Sequence, residues 1–207
     1  MSMISAKEAL ERLREGNLRF ASGSAGIDSV NSQAHDRSWT DGQEPFAVVL
    51  GCSDSRVPVE VVFDQGFGSL FVIRVAGNIV APSQIGSIEF AAERFGTRLV
   101  VVLGHSQCGA IEATLEVLRN TSGKPSPNLL SIVDRIRPSV EGLLNTELRH
   151  DEAALARAAE RANVRASVDH LRHGSKVLEE LIMNAGLLVV GAEYSLETGL
   201  VDFFFGG

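Results

Sequence analysis

The amino-acid sequence predicts an α/β fold: a central, mainly parallel β-sheet flanked by helices, with an N-terminal helical arm. Three observations carry that expectation. Four short apolar runs, residues 46–50, 70–74, 99–103 and 187–192, show the near-continuous hydrophobicity of strands covered on both faces. Stretches of helical periodicity separate them, at residues 83–95, 110–119, 129–136 and from about 151 to 184. Finally, no internal repeat or linker divides the 207 residues, a length that buries one full core. Residues 1–207 are therefore read as a single domain, with 1–43 as helix and arm and 44–207 as the α/β core.

Taken in order, Ser5-Ala6-Lys7-Glu8 reads as a capping box. Ala6, Leu10, Leu13 and Phe20 then recur at near-helical spacing, which predicts a helix over residues 5–20. Residues 21–43 are rich in Ser, Gly, Asp and Asn and read as a surface loop, or an arm that orders against a partner. From residue 44 strands and helices alternate, as in an α/β sheet with right-handed crossovers. Gly123-Lys124-Pro125-Ser126-Pro127 reads as a loop, and Pro138 ends or kinks the helix before it. The tail, 194–205, reads as a final hairpin turning at Thr198-Gly199.

Composition narrows the function. The net charge is −7 and no long basic stretch appears, which argues against nucleic acid as a partner. The first twenty residues include Lys7, Glu8, Glu11, Arg12, Arg14, Glu15 and Arg19 and form no apolar leader core. The apolar runs are too short to span a bilayer, so no membrane partner is expected. A cytoplasmic, reduced chain is the expectation, and it favours metal or catalytic use of the two cysteines.

Both cysteines lie in motifs that follow apolar runs: Cys52-Ser53-Asp54-Ser55-Arg56, and His105-Ser106-Gln107-Cys108. Adjacent parallel strands ending side by side would bring Cys52, His105 and Cys108 to one point, where ligands bind in open α/β sheets. Two thiolates and an imidazole suit Zn2+, one per chain. Asp54 could supply the fourth ligand or leave that place to water, and an open position marks a catalytic site. Gly51 and Gly104 would permit a sharp exit from each strand. A helix starting near Cys108 would favour its thiolate. Asp54 and Arg56 are close enough to pair, which would hold the carboxylate off the metal. On spacing alone, Asp54 as a helix cap and Arg56 as a surface ion pair read equally well.

These motifs together resemble the β-class carbonic anhydrases, in which a Cys-x-Asp-x-Arg strand end is followed by a His-x-x-Cys after glycine. Further segments look like that family: Glu15-Gly16-Asn17-Leu18-Arg19-Phe20, Asp64-Gln65-Gly66, Phe71 through Asn78, Gly86-Ser87-Ile88-Glu89-Phe90, and Gly191-Ala192 with Tyr194, Thr198, Gly199 and Val201. The resemblance implies reversible hydration of carbon dioxide to bicarbonate and a proton. It implies zinc ligands Cys52, His105 and Cys108, with Asp54 and Arg56 as a catalytic dyad. It places Gln43 as a substrate hydrogen-bond donor and Phe71 as a pocket aromatic. Phe90 stands where many members carry tyrosine, so only the apolar role carries over. Val49 occupies the position where the bicarbonate-inhibited branch has tryptophan, and with Gln43 this implies the open-site, bacterial branch. The resemblance also implies a homodimer or tetramer, in which the arm wraps a neighbour and Gln43, Phe71 and Phe90 come from different subunits.

Competing functions are a carbon disulfide or carbonyl sulfide hydrolase on the same scaffold, a non-catalytic zinc or bicarbonate-binding protein, and a thiol redox protein. The last lacks a Cys-x-x-Cys. His170 and His173 share a helical face and read as solvated more readily than as metal ligands. His35 or another surface histidine is a candidate proton shuttle, with nothing in the sequence to choose between them. Gly66-x-Gly68 lacks the third glycine of a dinucleotide fingerprint, and Phe203-Phe204-Phe205 reads as edge-strand packing.

Overall fold

The structure, a computed structural model, describes residues 4–26, 42–120, 123 and 125–206. His35 and Trp39 lie outside the described residues. Helix α1 (Ala6–Ala21) opens on the expected capping box: Ser5 accepts from the Glu8 amide and Glu8 accepts from the Ser5 amide. The remaining elements are β1 (Ala47–Gly51), α2 (Val59–Val62), β2 (Leu70–Arg74), α3 (Pro82–Arg94), β3 (Leu99–His105), α4 (Gly109–Arg119), α5 (Pro127–Val140), α6 (Glu152–His173), α7 (Lys176–Asn184), β4 (Leu188–Tyr194) and β5 (Val201–Phe205). Short 3-10 turns cover Ala76–Asn78, Glu141–Asn145 and Glu147–His150.

The strands form one sheet in the order β2-β1-β3-β4-β5. The first four are parallel, and β5 returns antiparallel to β4 through the turn at Gly199 (φ 73°). Alternation along each strand decides which face a side chain takes. Val49, Val101 and Val190 point to one face, under α1 and α2; Val48, Val100 and Val189 point to the other, under α3, α6 and α7. A third apolar cluster, with Ile111, Leu115, Ile136, Leu155 and Ala159, closes over the carboxyl ends of the strands and contains Cys52 and Cys108.

Two expectations are refined. Helix α1 packs on its own chain's sheet, and buried Asn17 ties it to the tail: its amide donates to the Val62 and Gly199 carbonyls at 3.2 and 2.9 Å and its oxygen accepts from Val201 at 2.8 Å. Pro138 sits in the last turn of α5, so the helix runs two residues beyond it to Val140 before relaxing to a 3-10 turn.

Candidate metal centre

Strands β1 and β3 are neighbours, but the chain leaves β1 for one side of the sheet and β3 for the other. That divergence opens a crevice beyond their carboxyl ends. Gly51, the last residue of β1, is in register with Leu103, so Cys52 emerges beside the end of β3, whose last residue is His105. Cys108 then caps the N-terminus of α4 with its backbone carbonyl, which accepts from Ile111 and Glu112. The Cys52, His105 and Cys108 ligand atoms all lie within 4.8 Å of one another, and all three residues are buried. Among the described residues this is the one group of three or more His, Cys, Asp or Glu donors placed to hold a metal. His173 instead engages the Asp169 carbonyl and His150 accepts from Arg149.

The donor set fits zinc on its own chemistry. His105 Nδ1 lies 2.9 Å from the Ser106 carbonyl, which fixes the tautomer with the Nε2 lone pair turned to the sulfurs. That Nε2 is buried and has no hydrogen-bond partner among the described residues, a costly state that a cation relieves. The Cys52 thiol is pushed down to about 4 by the Cys108 thiol, with His105 and the Gly77 amide adding to the effect. Cys108 is pushed up by the same contact and by burial. A divalent cation binds both sulfurs as thiolates, and its binding releases the protons they carry. Burial disfavours the charged imidazole of His105, but the Cys52 thiolate and the Ser106 carbonyl outweigh it and the net direction is upward.

Asp54 stands at the edge of the cluster, its Oδ2 3.9 Å from His105 Nε2. Arg56 grips both its oxygens, Nε on Oδ1 at 3.0 Å and Nη2 on Oδ2 at 2.8 Å, and the Arg56 amide adds a third bond at 2.9 Å. These bonds hold the carboxyl well below the usual carboxylate range. Asp54 is therefore not a helix cap; the residue before α2 is Pro58. Arg74 fixes the loop beneath, donating to the Cys52 carbonyl at 3.0 Å and the Asp54 carbonyl at 2.6 Å.

Gly104, shortly before the ligand at the end of β3, serves a different purpose from the one its sequence position indicates. Strand β3 runs straight through Gly104; a Cβ there would stand 2.5 Å from Val164 Cγ2 on α6, so the requirement is close packing.

Gln43, Phe71 and Phe90 are not brought to their own chain's cluster. Gln43 precedes β1 and lines a cavity of about 440 Å³ with Phe46, Arg94 and Phe95. Phe71 pairs in register with Val48, early in β1, and stacks at 6.2 Å on Phe90 and 6.1 Å on Phe95. Phe90 is 52% exposed. These residues gather toward the amino ends of the strands, with the length of β1 between them and Cys52. Contacts that spacing did not reveal are those of Arg74, Gly77, Glu160 and Asn163. Glu160, buried on α6 and pushed up to about 7 by that burial, accepts from the Cys108 amide at 3.1 Å.

A parallel sheet that gathers two thiols and an imidazole in the crevice between diverging strands defines a metal-dependent α/β enzyme, with zinc the fitting ion. The carbonic anhydrase family model matches residues 47–201. Carbonic anhydrase 2 of Mycobacterium tuberculosis is 38% identical over 191 residues, spanning 92% of this chain and 89% of that protein. The carbonic anhydrase of Mycolicibacterium smegmatis is 38% identical over 198 residues, spanning 94% and 91%. One of two tetrameric β-carbonic anhydrases solved from Sordaria macrospora superposes with a TM-score of 0.73 at 25% identity, covering 90% of this chain and 96% of that one. The β-carbonic anhydrase CafA of Aspergillus fumigatus gives 0.72 at 26%, covering 97% and 91%. The chain belongs to the β-class carbonic anhydrase family.

Proposed function

We propose that Cys52, His105 and Cys108 are the zinc ligands of this chain and that Asp54, held by Arg56, is its catalytic carboxylate. The activity is that of its family, zinc-dependent reversible hydration of carbon dioxide to bicarbonate and a proton. The observation that carries the assignment is the convergence of three soft donors within 4.8 Å beside a carboxylate bridged to arginine. Zinc in such a set supplies a nucleophile at neutral pH by lowering the pKa of water to about 7.

The protein's own groups do the rest. Asp54, ionised and gripped at both oxygens, can only accept a hydrogen bond. It takes one from the reacting solvent molecule and so aims a lone pair at the carbon of the substrate. Arg56 keeps Asp54 beside the metal position and out of it, which leaves that position open. Release by Arg56 would let Asp54 enter and shut the site. Val49, in place of tryptophan, accords with the open form.

The same reading assigns Gln43, Phe71 and Phe90 to a pocket shared between subunits of a homodimer or tetramer. Their grouping away from their own cluster, with Phe90 exposed, supports it, as does the tetrameric state of the Sordaria relative. It treats the chain as one catalytic domain, supported by a single sheet whose strand ends lead into all three ligands and which meets helices from both ends of the chain. It places the protein in the cytoplasm, supported by two free thiols. No helix among the described residues is long and apolar enough to cross a membrane.

Stopped-flow hydration of carbon dioxide, run beside sulfide release from carbonyl sulfide and carbon disulfide, tests the substrate. Hydration without sulfide release is expected. Sulfide release with slow hydration would reassign the site to the sulfur analogues.

A further inference from the structure

One face of α6 reaches the surroundings of all three proposed ligands. Glu160, Asn163 and Ser167 recur at spacings of three and four and are buried at 4%, 2% and 5% exposure. Glu160 Oε1 accepts from the Cys108 amide at 3.1 Å. Asn163 Nδ2 donates to the Gly77 carbonyl at 2.8 Å, and the Gly77 amide in turn donates to Cys52 Sγ at 3.3 Å. Ser167 Oγ donates to the Asn78 carbonyl at 3.1 Å. Val164, on the same face, is the side chain that Gly104 must clear immediately before His105.

The segments so held do not hold themselves. Gln107 (φ 57°), Gly77 (φ 70°) and Asn78 (φ 43°) are all left-handed. For a residue other than glycine that conformation is unfavourable and persists only where its surroundings impose it. Glu160 lies at the N-terminus of α4, where an acceptor is also favoured by the helix dipole.

We propose that this face of α6 is the scaffold that sets the geometry of the metal centre, with Glu160 and Asn163 as positioning residues for Cys108 and Cys52. The hydrogen bonds act through the backbone: each fixes where a sulfur stands without touching the metal. Groups of this kind change metal affinity by about 10–100-fold when removed.

The inference rests on the zinc-ligand assignment above, and the test separates the two. Zinc transfer from the holoenzyme to a chromogenic chelator is timed for the intact chain, Glu160→Ala, Glu160→Gln, Asn163→Ala and Val168→Ala. The thiolate-to-cobalt charge-transfer bands of each cobalt-substituted protein are recorded, together with thermal unfolding. Val168 is fully buried on α6 in the apolar cluster, so its truncation loosens the helix without removing a polar contact. Glu160→Ala and Asn163→Ala are expected to release zinc about tenfold faster or more and to shift the cobalt bands. Glu160→Gln, which keeps an acceptor, should stay within a few-fold of the intact chain, and Val168→Ala should melt earlier with unchanged bands. Unaltered bands in both alanine variants, or zinc release that tracks melting as it does in Val168→Ala, would overturn the inference. Should Glu160→Ala not fold, Asn163→Ala carries the same test, since it removes one amide and leaves the carboxylate in place. An intact chain that takes up no zinc would instead overturn the ligand assignment.

Discussion

Arg56 holds Asp54 in a two-point grip, 3.0 and 2.8 Å, at the edge of the metal cluster. Half of the Arg56 side chain is exposed, so as a bare ion pair it would add little stability. In the proposed mechanism its role is geometric. Asp54→Ala is expected to retain zinc and lose about 10²-fold or more in turnover, the range of a positioned acceptor. Arg56→Ala should also retain zinc and lose activity, with Asp54 now free to enter the metal's fourth position. Zinc analysis with stopped-flow hydration checks both; full turnover in Asp54→Ala would remove the carboxylate from the mechanism.

The pH behaviour of that pair follows from the same bonds. Asp54 is held below its ordinary carboxylate value, chiefly by the Arg56 side chain. A depressed carboxylate contributes above its unfolded value and is lost only as pH falls through the lower folded value. Asp54 therefore stays ionised from about pH 5 upward, and an activity profile should show no limb there that Asp54→Asn abolishes.

Removal of a ligand has a sharper signature. Cys108→Ala leaves one thiolate and one imidazole and is expected to purify without stoichiometric zinc and without hydration activity. Added zinc should restore neither. Metal analysis of the gently purified variant is the measurement.

If Gln43 serves the neighbouring subunit, two inactive variants should complement each other. Gln43→Ala and Cys52→Ala, unfolded and refolded together, would yield mixed dimers with one intact site each, and activity above the sum of the two alone. No gain on mixing would show that Gln43 does not serve the neighbouring subunit's site.

The packing of α6 on β3 is testable through Gly104. A Cβ 2.5 Å from Val164 Cγ2 is an overpacking clash, which costs about 1–3 kcal/mol in a tight core. Gly104→Ala should lower the melting temperature by about 2–4 °C per kcal/mol in a chain of this size. Pairing it with Val164→Ala should return part of the loss.

What was legible in the sequence is what short-range pattern encodes. Residues 46–50, 70–74, 99–103 and 187–192 read as strands because both faces of the sheet are covered, so their side chains are almost continuously apolar. The Ser5–Glu8 capping box was equally readable because both of its hydrogen bonds are local. Cys52, His105 and Cys108 stood out because their residue types carry metal chemistry. Short α2 escaped because four residues hold no period. The long helical stretch breaks at Gly174, where a Cβ would meet the His170 carbonyl at 2.5 Å, and restarts on the Ser175 cap, a division that periodicity alone does not show. Arg74, Glu160 and Asn163 were invisible for a physical reason: each acts on backbone groups 20 to 86 residues away, and those pairings exist only in the fold.

The central claim is that a zinc ion at Cys52, His105 and Cys108 enables carbon dioxide hydration. Its most direct measurement is stopped-flow hydration as zinc is titrated back into chelator-stripped protein. The rate should rise linearly with zinc and level off at one ion per chain. A stripped chain that already hydrates carbon dioxide at full rate, or a fully loaded one that does not hydrate it, would contradict the account.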